Sequence, residues 1–224
     1  MFNLINRNQK NTLVLVPGWA FDENIFNNLD LDYNYLVFAG DNIAAFDSAL
    51  KKSLKEHNLE QISLLGWSQG AFAALEFAAD NPNLVDQTIL VSLRKKYKAE
   101  EIKNVENLLR QNHQAFLYKF YQDCFSNENL SWFKKNLMKN YLNKFRPDNL
   151  LNNLTLLGQA EVSAQKLCKI KNLLLIHGKN DRIAPVDEVR SLVSNMPQAK
   201  LIIIENAGHL PFLNRHFKER LANG

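Results

Sequence analysis

The stretch Gly66-Trp67-Ser68-Gln69-Gly70, GWSQG, stands between an apolar run, ISLLG, and a helix-like run, AFAALEFAAD. It fits G-x-S-x-G, which is typical of a tight strand-to-helix turn that raises a serine hydroxyl clear of its neighbours. Glycines on either side of the serine leave space for such a strained turn. A five-residue match alone also fits an ordinary turn serine, so its meaning depends on the rest of the chain.

Short apolar runs rich in branched residues predict buried strands. These runs are 13–16, 36–39, 62–65, 88–93, 173–176 and 201–204. Helix-like segments at 22–29, 43–57 and 70–81 separate the first four runs. This alternation predicts an α/β fold, with a mostly parallel sheet flanked by helices.

The alternation stops between residues 94 and 157, where only helical periodicity remains. Apolar residues at helical spacing are Val105, Leu108, Leu109, Phe116, Phe120 and Cys124 in one segment, and Phe133, Leu137, Tyr141 and Phe145 in the next. Pro147 should separate that second helix from a third, because proline cannot continue a helix. We therefore predict one domain, with a core at 1–93 and 158–224 and a helical lid inserted at 94–157.

The composition narrows the class of protein. The chain has 224 residues and is 46% hydrophobic, which suffices for one sizeable core. No apolar run approaches the roughly 20 residues that cross a bilayer, and the amino terminus does not resemble a signal peptide. Cys124 and Cys168 form no CxxC pair and fit thiols in a reducing compartment. We expect a soluble, cytoplasmic monomer.

An acid and a histidine each follow a predicted strand. Asp181 lies in HGKNDRIAP after the run at 173–176, and His209 lies in ENAGHLPF after the run at 201–204. The carboxyl ends of strands form the edge of an open α/β sheet where ligands bind. Serine catalysis needs an imidazole to take the hydroxyl proton and a carboxylate to orient that imidazole. Ser68, Asp181 and His209 are therefore the candidate catalytic residues.

Each of these residues also has an ordinary structural interpretation, as a turn serine, a turn or cap aspartate and a structural histidine. Their joint order and their positions after strands favour catalysis. We assign His177 to packing, because the sequence shows no acid of suitable order behind it. An acyl-transfer site also needs oxyanion donors, for which the backbone amides of Trp19 and Gln69 are the candidates. No histidine–carboxylate spacing or Gly-rich phosphate loop indicates a metal or cofactor.

With these motifs, the chain resembles the α/β-hydrolase superfamily over nearly its whole length. Within it, the chain is most similar to the pimeloyl-acyl-carrier-protein methyl ester carboxylesterases of biotin synthesis. The narrower likeness rests on the Gly18-Trp19 loop followed by DENIF, on the GWS turn, and on NLLNNLTLLGQAEVSAQKL leading to HGKND. The chain departs from that family at Pro17, at Gln69 and in the short segment AGDNIAAFDS.

The resemblance implies hydrolysis of a methyl ester at the far end of a pimeloyl chain carried by acyl carrier protein. Trp19, Phe116 and Phe120 are then candidate substrate-binding residues. A general short-chain carboxylesterase and a lyase or C–C hydrolase of the same fold remain alternatives, because fold does not fix function. A protein of another class, a catalytically silent receptor, would bind a ligand in the same pocket.

The charge distribution gives an independent indication of an acidic partner. Residues 94–146 carry 12 Lys and Arg against 5 Asp and Glu, whereas the rest carries 15 against 18. A positive lid would steer an acidic acyl carrier protein. Lys135, Lys139 and Arg146 would fall within about 40° of one another on a continuous helix and are candidate docking residues. A solvated helix face explains them equally well, and no motif links the basic residues to nucleic acid binding.

Overall fold

The computed structural model describes residues 1–125, 127–194, 196 and 199–222. The strands in these ranges are β1 (Phe2–Ile5), β2 (Thr12–Val16), β3 (Asn34–Phe38), β4 (Ile62–Trp67), β5 (Val85–Val91), β6 (Leu173–Gly178) and β7 (Lys200–Ile204). They form one sheet in the order β1-β3-β2-β4-β5-β6-β7. All neighbours pair in parallel except β1, which runs antiparallel to β3.

Helices connect the strands. They are α1 (Phe46–Glu56), α2 (Gln69–Asp80), α3 (Ala99–Cys124), α4 (Asn127–Asn136), α5 (Met138–Lys144), α6 (Pro147–Gln159), α7 (Ala164–Cys168), α8 (Val186–Val193) and α9 (Phe217–Ala222), with short 3₁₀ helices at Glu23–Phe26, Ile43–Ala45 and Pro211–Leu213. In the described part of the chain, no helix is both long and apolar enough to span a bilayer. No disulfide joins Cys124 and Cys168.

The predicted α/β fold with a helical insertion is confirmed, and each predicted strand overlaps an observed one. Every residue of β2, β4 and β6 is buried, as expected of parallel strands covered on both faces. The sequence prediction missed β1, because this edge strand is mostly exposed and gives no buried apolar run. The helix predicted at 22–29 was also too long. Only Glu23–Phe26 is helical, and the Asp22 carboxylate caps it by accepting from the Asn24 amide at 2.9 Å.

The helical insertion, taken here as residues 94–157, comprises α3, α4, α5 and most of α6 between β5 and β6. Its helices are more broken than predicted. Asn112 has non-helical angles inside α3 and its side chain caps the second half by accepting from the Ala115 amide at 3.0 Å. The segment predicted as one helix from Phe133 to Phe145 is interrupted at Leu137, which separates α4 from α5. Pro147 begins α6, as predicted.

An aromatic cluster joins the insertion to the α/β core. The Phe21 ring lies 4.8 Å from Trp67, 5.0 Å from Tyr121 and 5.5 Å from Tyr141, centroid to centroid. The Tyr121 hydroxyl also donates to the Ala20 carbonyl at 2.8 Å. Such ring pairs add about 0.5–1.5 kcal/mol each beyond the area they bury. The insertion and the sheet therefore share one continuous hydrophobic core.

Candidate active site

Ser68 occupies the strained turn between β4 and α2. Its φ of 54° and ψ of −115° lie outside the helical and strand regions that most residues adopt. Close backbone packing explains the flanking glycines. A Cβ on Gly70 would lie 2.3 Å from the Val16 carbonyl oxygen, and one on Gly66 would lie 2.4 Å from the Gly70 carbonyl oxygen. The two glycines of the motif are therefore explained by the lack of space for a side chain.

The structure brings Ser68, His209 and Asp181 together. The Ser68 Oγ lies 2.9 Å from Nε2 of His209, and the Nδ1 of His209 lies 2.8 Å from Oδ2 of Asp181. The three residues are 6%, 1% and 7% exposed, respectively. His209 lies 141 positions from Ser68 and 28 positions from Asp181 in the sequence. The fold nevertheless joins the three in one hydrogen-bonded row at the carboxyl ends of β4, β6 and β7.

The Asp181 carboxylate is held in its ionised form. Its Oδ1 accepts from the backbone amides of Ile183 and Ala184, both at 2.8 Å. Burial by itself would raise the pKa of Asp181, but His209 and His177 outweigh burial and hold that pKa well below its usual range. An ionised carboxylate can only accept, so Nδ1 of His209 carries the proton. Nε2 is then free to accept the proton of the Ser68 hydroxyl.

Three buried groups fix the main chain of His209. Its carbonyl accepts from the Trp67 indole Nε1–H at 2.7 Å and from the Ser92 hydroxyl at 2.9 Å. Its amide donates to the Cys124 carbonyl at 2.9 Å. The residue that precedes the serine therefore also holds the histidine. The sequence gives no signal of these contacts, because Trp67 and Ser92 lie 142 and 117 positions from His209 along the chain.

The sequence interpretation of His177 was wrong in one respect. The imidazole is fully buried, and its Nε2 lies 2.6 Å from the Ala184 carbonyl oxygen and 3.4 Å from Oδ2 of Asp181. His177 therefore does face an acid, and that acid is the partner of His209. The sequence does not reveal the contact between His177 and Asp181, because that contact forms only when the chain turns after β6.

The backbone amides of Trp19 and Gln69 have no hydrogen-bond acceptor in the described part of the chain. Their loops approach closely, since a Cβ on Gly18 would lie 3.1 Å from the Ser68 Cβ. Both side chains bind the insertion. The Trp19 Nε1–H donates to the Leu150 carbonyl at 3.0 Å, and the Gln69 Nε2 donates to the Asn153 carbonyl at 2.6 Å. The departure from the resembled family at Gln69 thus forms a contact with α6.

A cavity of about 600 Å³ opens in front of Ser68. The predicted substrate-binding residues Trp19, Phe116 and Phe120 all lie on its wall, and the Trp19 ring is 6.2 Å from Phe116 and 5.2 Å from Phe120. Further apolar lining comes from Ile102, Val105, Leu108, Leu154 and Leu157. The described residues contain no cluster of His, Cys, Asp and Glu that could hold a metal ion.

The predicted cationic stripe does not exist as a single helix face. Lys135 lies in α4, Lys139 lies in α5, and Arg146 follows α5 as the extended N-cap residue of α6. The predicted stripe assumed a continuous helix with a rotation of about 100° per residue. The break at Leu137 interrupts that helix, so the three residues do not share one face. All three residues are exposed and none lines the cavity. The cations that do line it are Arg94, Lys98, Lys119 and Arg182.

Two of the lining residues, Arg94 and Tyr97, follow β5 and were missed by sequence reasoning. Arg94 is only 7% exposed and forms a paired contact with the Glu188 carboxylate at 2.8 and 3.2 Å. Its guanidinium lies 4.5 Å from the centre of the Tyr97 ring. Asp181 and His209 were identified because they follow the carboxyl ends of strands. The same criterion applied after β5 would have identified Arg94 and Tyr97.

Comparisons with known proteins find relatives that match most of the chain. The chain is 24% identical to a pimeloyl-[acyl-carrier protein] methyl ester esterase of Nitrosomonas europaea, in an alignment that covers 90% of this chain and 90% of that relative. It is 27% identical to a 2-hydroxy-6-oxononadienedioate/2-hydroxy-6-oxononatrienedioate hydrolase of Cupriavidus pinatubonensis, over 88% of this chain and 68% of that relative. Among solved structures, the enol-lactonase of Burkholderia xenovorans LB400 superposes with a TM-score of 0.84 at 13% identity, covering 100% of this chain and 95% of that one.

Residues 39–215 match the family model Hydrolase_4, which is described as serine aminopeptidase, S33. That match covers most of the chain and includes Ser68, Asp181 and His209. Relatives with esterase and hydrolase names extend over nearly the whole sequence. The chain therefore belongs to the α/β-hydrolase family and is a hydrolase.

Proposed function

We propose that this protein is a serine carboxylesterase in which Ser68, His209 and Asp181 act as a catalytic triad. The observation that carries the proposal is the buried row of hydrogen bonds from Ser68 through His209 to Asp181, at 2.9 and 2.8 Å. This row faces a cavity large enough for an acyl chain. The receptor alternative gives no reason for an ionised carboxylate that orients the imidazole toward a serine.

In the proposed mechanism, the Ser68 Oγ attacks the ester carbonyl carbon while its proton passes to Nε2 of His209. Asp181 stabilises the imidazolium that forms. The backbone amides of Trp19 and Gln69 donate to the carbonyl oxygen as it gains negative charge. The bond to the alcohol then breaks, and the departing oxygen takes the proton from His209. A water molecule, deprotonated by His209, attacks the acyl-enzyme and releases the carboxylic acid and Ser68.

The proposed substrate is the methyl ester at the far end of a pimeloyl chain whose other end is a thioester on acyl carrier protein. Methanol and pimeloyl-acyl carrier protein are the products. The name of the Nitrosomonas europaea relative supports this choice, and the apolar walls formed by Phe116, Phe120 and Leu154 suit a hydrocarbon chain. Acyl carrier proteins are acidic, so the basic insertion favours such a partner.

We propose other docking cations than those of the predicted stripe. Lys98 and Lys119 are exposed and line the cavity, whereas Lys135, Lys139 and Arg146 are exposed elsewhere on the insertion. Arg94 and Arg182 also line the cavity, but they pair with Glu188 and Asp123. Lys98 and Lys119 therefore replace the stripe as the proposed docking cations.

A C–C hydrolase is the second candidate, because the name of the Cupriavidus pinatubonensis relative gives 2-hydroxy-6-oxononadienedioate as its substrate. The two candidates use the same serine but different scissile bonds. The test incubates the purified protein with pimeloyl-acyl carrier protein methyl ester and, separately, with 2-hydroxy-6-oxononadienedioate. We expect methanol release with the first substrate, abolished in Ser68→Ala. Cleavage of the second substrate alone would favour the C–C hydrolase, and absence of Ser68-dependent turnover on any ester would contradict the esterase proposal.

A further inference from the structure

Tyr97 has no role in the triad or in the oxyanion amides, yet it lines the same cavity as Ser68. Burial raises the pKa of its hydroxyl, and the Ser68 side chain, Asp181 and Cys124 are near enough to influence that pKa. The Tyr97 phenol therefore belongs to the part of the cavity wall next to Ser68.

The position of Tyr97 is enforced by a buried support. Its ring lies over the Arg94 guanidinium at 4.5 Å. Arg94 in turn pairs with Glu188 of α8 at 2.8 Å and with Glu101 of α3 at 3.3 Å, and it donates to the Ile183 carbonyl at 3.3 Å. An arginine anchored in three directions is a rigid platform for an aromatic ring. The insertion, the core and the Asp181 loop all contribute to it.

The order of the strands identifies the side of the serine on which Tyr97 lies. Ser68 follows β4, and Trp19 follows β2, which neighbours β4 on one side. Tyr97 follows β5, which neighbours β4 on the other side, toward β6 and β7 and therefore toward Asp181 and His209. The loops that carry Trp19 and Tyr97 thus leave the sheet on opposite sides of Ser68. The alcohol must leave on the histidine side, because His209 protonates it.

The Tyr97 hydroxyl keeps its proton at this position and can therefore donate a hydrogen bond. Removal of its hydroxyl from water raises the pKa of Tyr97 above its ordinary range, although Arg94 and Ser68 oppose that rise. The phenol therefore stays protonated at neutral pH. The Ser68 proton is already directed to Nε2 of His209, so Tyr97 does not compete as the base.

From this placement we propose that Tyr97 donates a hydrogen bond to the leaving-group oxygen of the ester as the acyl–oxygen bond breaks. This inference rests on the proposed esterase function. The bond from Ser68 Oγ to the acyl carbon has formed, the electron pair of the breaking bond goes to the alcohol oxygen, and the proton comes from His209. Tyr97 transfers no proton. It stabilises the negative charge that develops on that oxygen before the proton arrives.

The test compares two esters of the same acid, methyl butyrate and p-nitrophenyl butyrate, on Tyr97→Phe. Phenylalanine keeps the ring over Arg94 and removes only the donor. The methoxide leaving group is strongly basic and needs the donor, whereas p-nitrophenolate leaves without help. We expect kcat/KM for methyl butyrate to fall about 10- to 100-fold, the effect of one hydrogen bond to a charged group. The value for p-nitrophenyl butyrate should change less than about threefold by the same reasoning.

Tyr118→Phe is the matched control, because Tyr118 also lies in the insertion but is 43% exposed and does not line the cavity. It should leave both values unchanged. Both rates are measured on one sample, so any unfolded fraction of the Tyr97→Phe protein cancels in their ratio. Equal losses on the two esters would reduce Tyr97 to a structural residue and overturn the inference, as would no loss on either. If the wild type shows no Ser68-dependent turnover of either ester, the esterase proposal itself fails, and this inference fails with it.

Discussion

The α/β core and the helical insertion hold their functional side chains by different forces. In the core, Asp181 accepts two backbone amides and the His209 main chain makes three hydrogen bonds, all at 2.7–2.9 Å. In the insertion, Phe116 and Phe120 are half-buried and face Trp19 through ring contacts at 6.2 and 5.2 Å. Hydrogen bonds fix atoms in direction, whereas ring packing fixes shape and tolerates small shifts.

We therefore expect the two regions to contribute differently to activity. Changes to the core site should lower the rate of the chemical step on every ester, because they act on the reacting atoms. Changes to the insertion should instead depend on the substrate, because they alter a cavity wall or a surface charge. The two regions are not independent, since Tyr121 and Tyr141 of the insertion pack on Phe21 of the core. The following variants test how far this expectation holds.

The largest effect is expected from Ser68→Ala and His209→Ala. Each should lower kcat by about 10⁴- to 10⁶-fold, since the members of such a triad act as one unit. For the same reason, the double variant should be hardly slower than either single variant. Steady-state hydrolysis of p-nitrophenyl butyrate and of a methyl ester measures both. Additive losses in the double variant would mean that the two side chains act separately, despite their 2.9 Å contact.

Asp181→Asn should cost somewhat less, about 10⁴-fold in kcat, with the fold retained. An asparagine can still accept from the amides of Ile183 and Ala184, but its neutral oxygen no longer stabilises the imidazolium of His209. Circular dichroism checks the fold, and the same two esters check the rate. Activity equal to that of the wild type would show that another carboxylate orients His209.

Phe116→Ala tests the cavity wall of the insertion. Loss of an apolar contact with the acyl chain is expected to raise KM about tenfold for an octanoate ester, while the acetate ester changes little because it does not reach that wall. Tyr118→Ala is the matched control on the same helix, outside the cavity. An equal effect of Phe116→Ala on both esters, seen in kcat, would mean that this ring supports Trp19 rather than the substrate.

The smallest effect is expected from surface charge. Changing Lys98 and Lys119 together to Glu should lower kcat/KM for the carrier-bound ester up to about tenfold at low salt, and the loss should fade at high salt as the field is screened. The matched variant changes Lys135 and Lys139 to Glu, with the same change in net charge but away from the cavity. A small neutral ester should respond to neither. Equal losses of kcat/KM for the carrier-bound ester in the two variants would mean that only net charge matters. A larger loss in the Lys135 and Lys139 variant would mean that these two residues, and not Lys98 and Lys119, bind the carrier.

Much of the fold could be predicted because its signals are local. Each buried strand is a short apolar run, and Pro147 begins a helix through its own fixed geometry. The exposed strand β1 gave no such signal and was missed. The break at Leu137 was also missed, because the apolar spacing continues across it and the rings of Phe133 and Tyr141 both pack into the aromatic cluster.

The sequence by itself determined the GWSQG turn, the order of Ser68, Asp181 and His209 and their places after strands, because each depends on a few neighbouring residues. Only the tertiary structure decided that His177 faces Asp181, that Tyr97 and Ser68 line one cavity, and that Lys119 rather than Lys139 lines it too. Those contacts depend on distances between segments that meet only when the sheet is assembled and the insertion packs against it. Periodicity along the chain records which face of an element is apolar, but it carries no information about which polar side chains meet across elements.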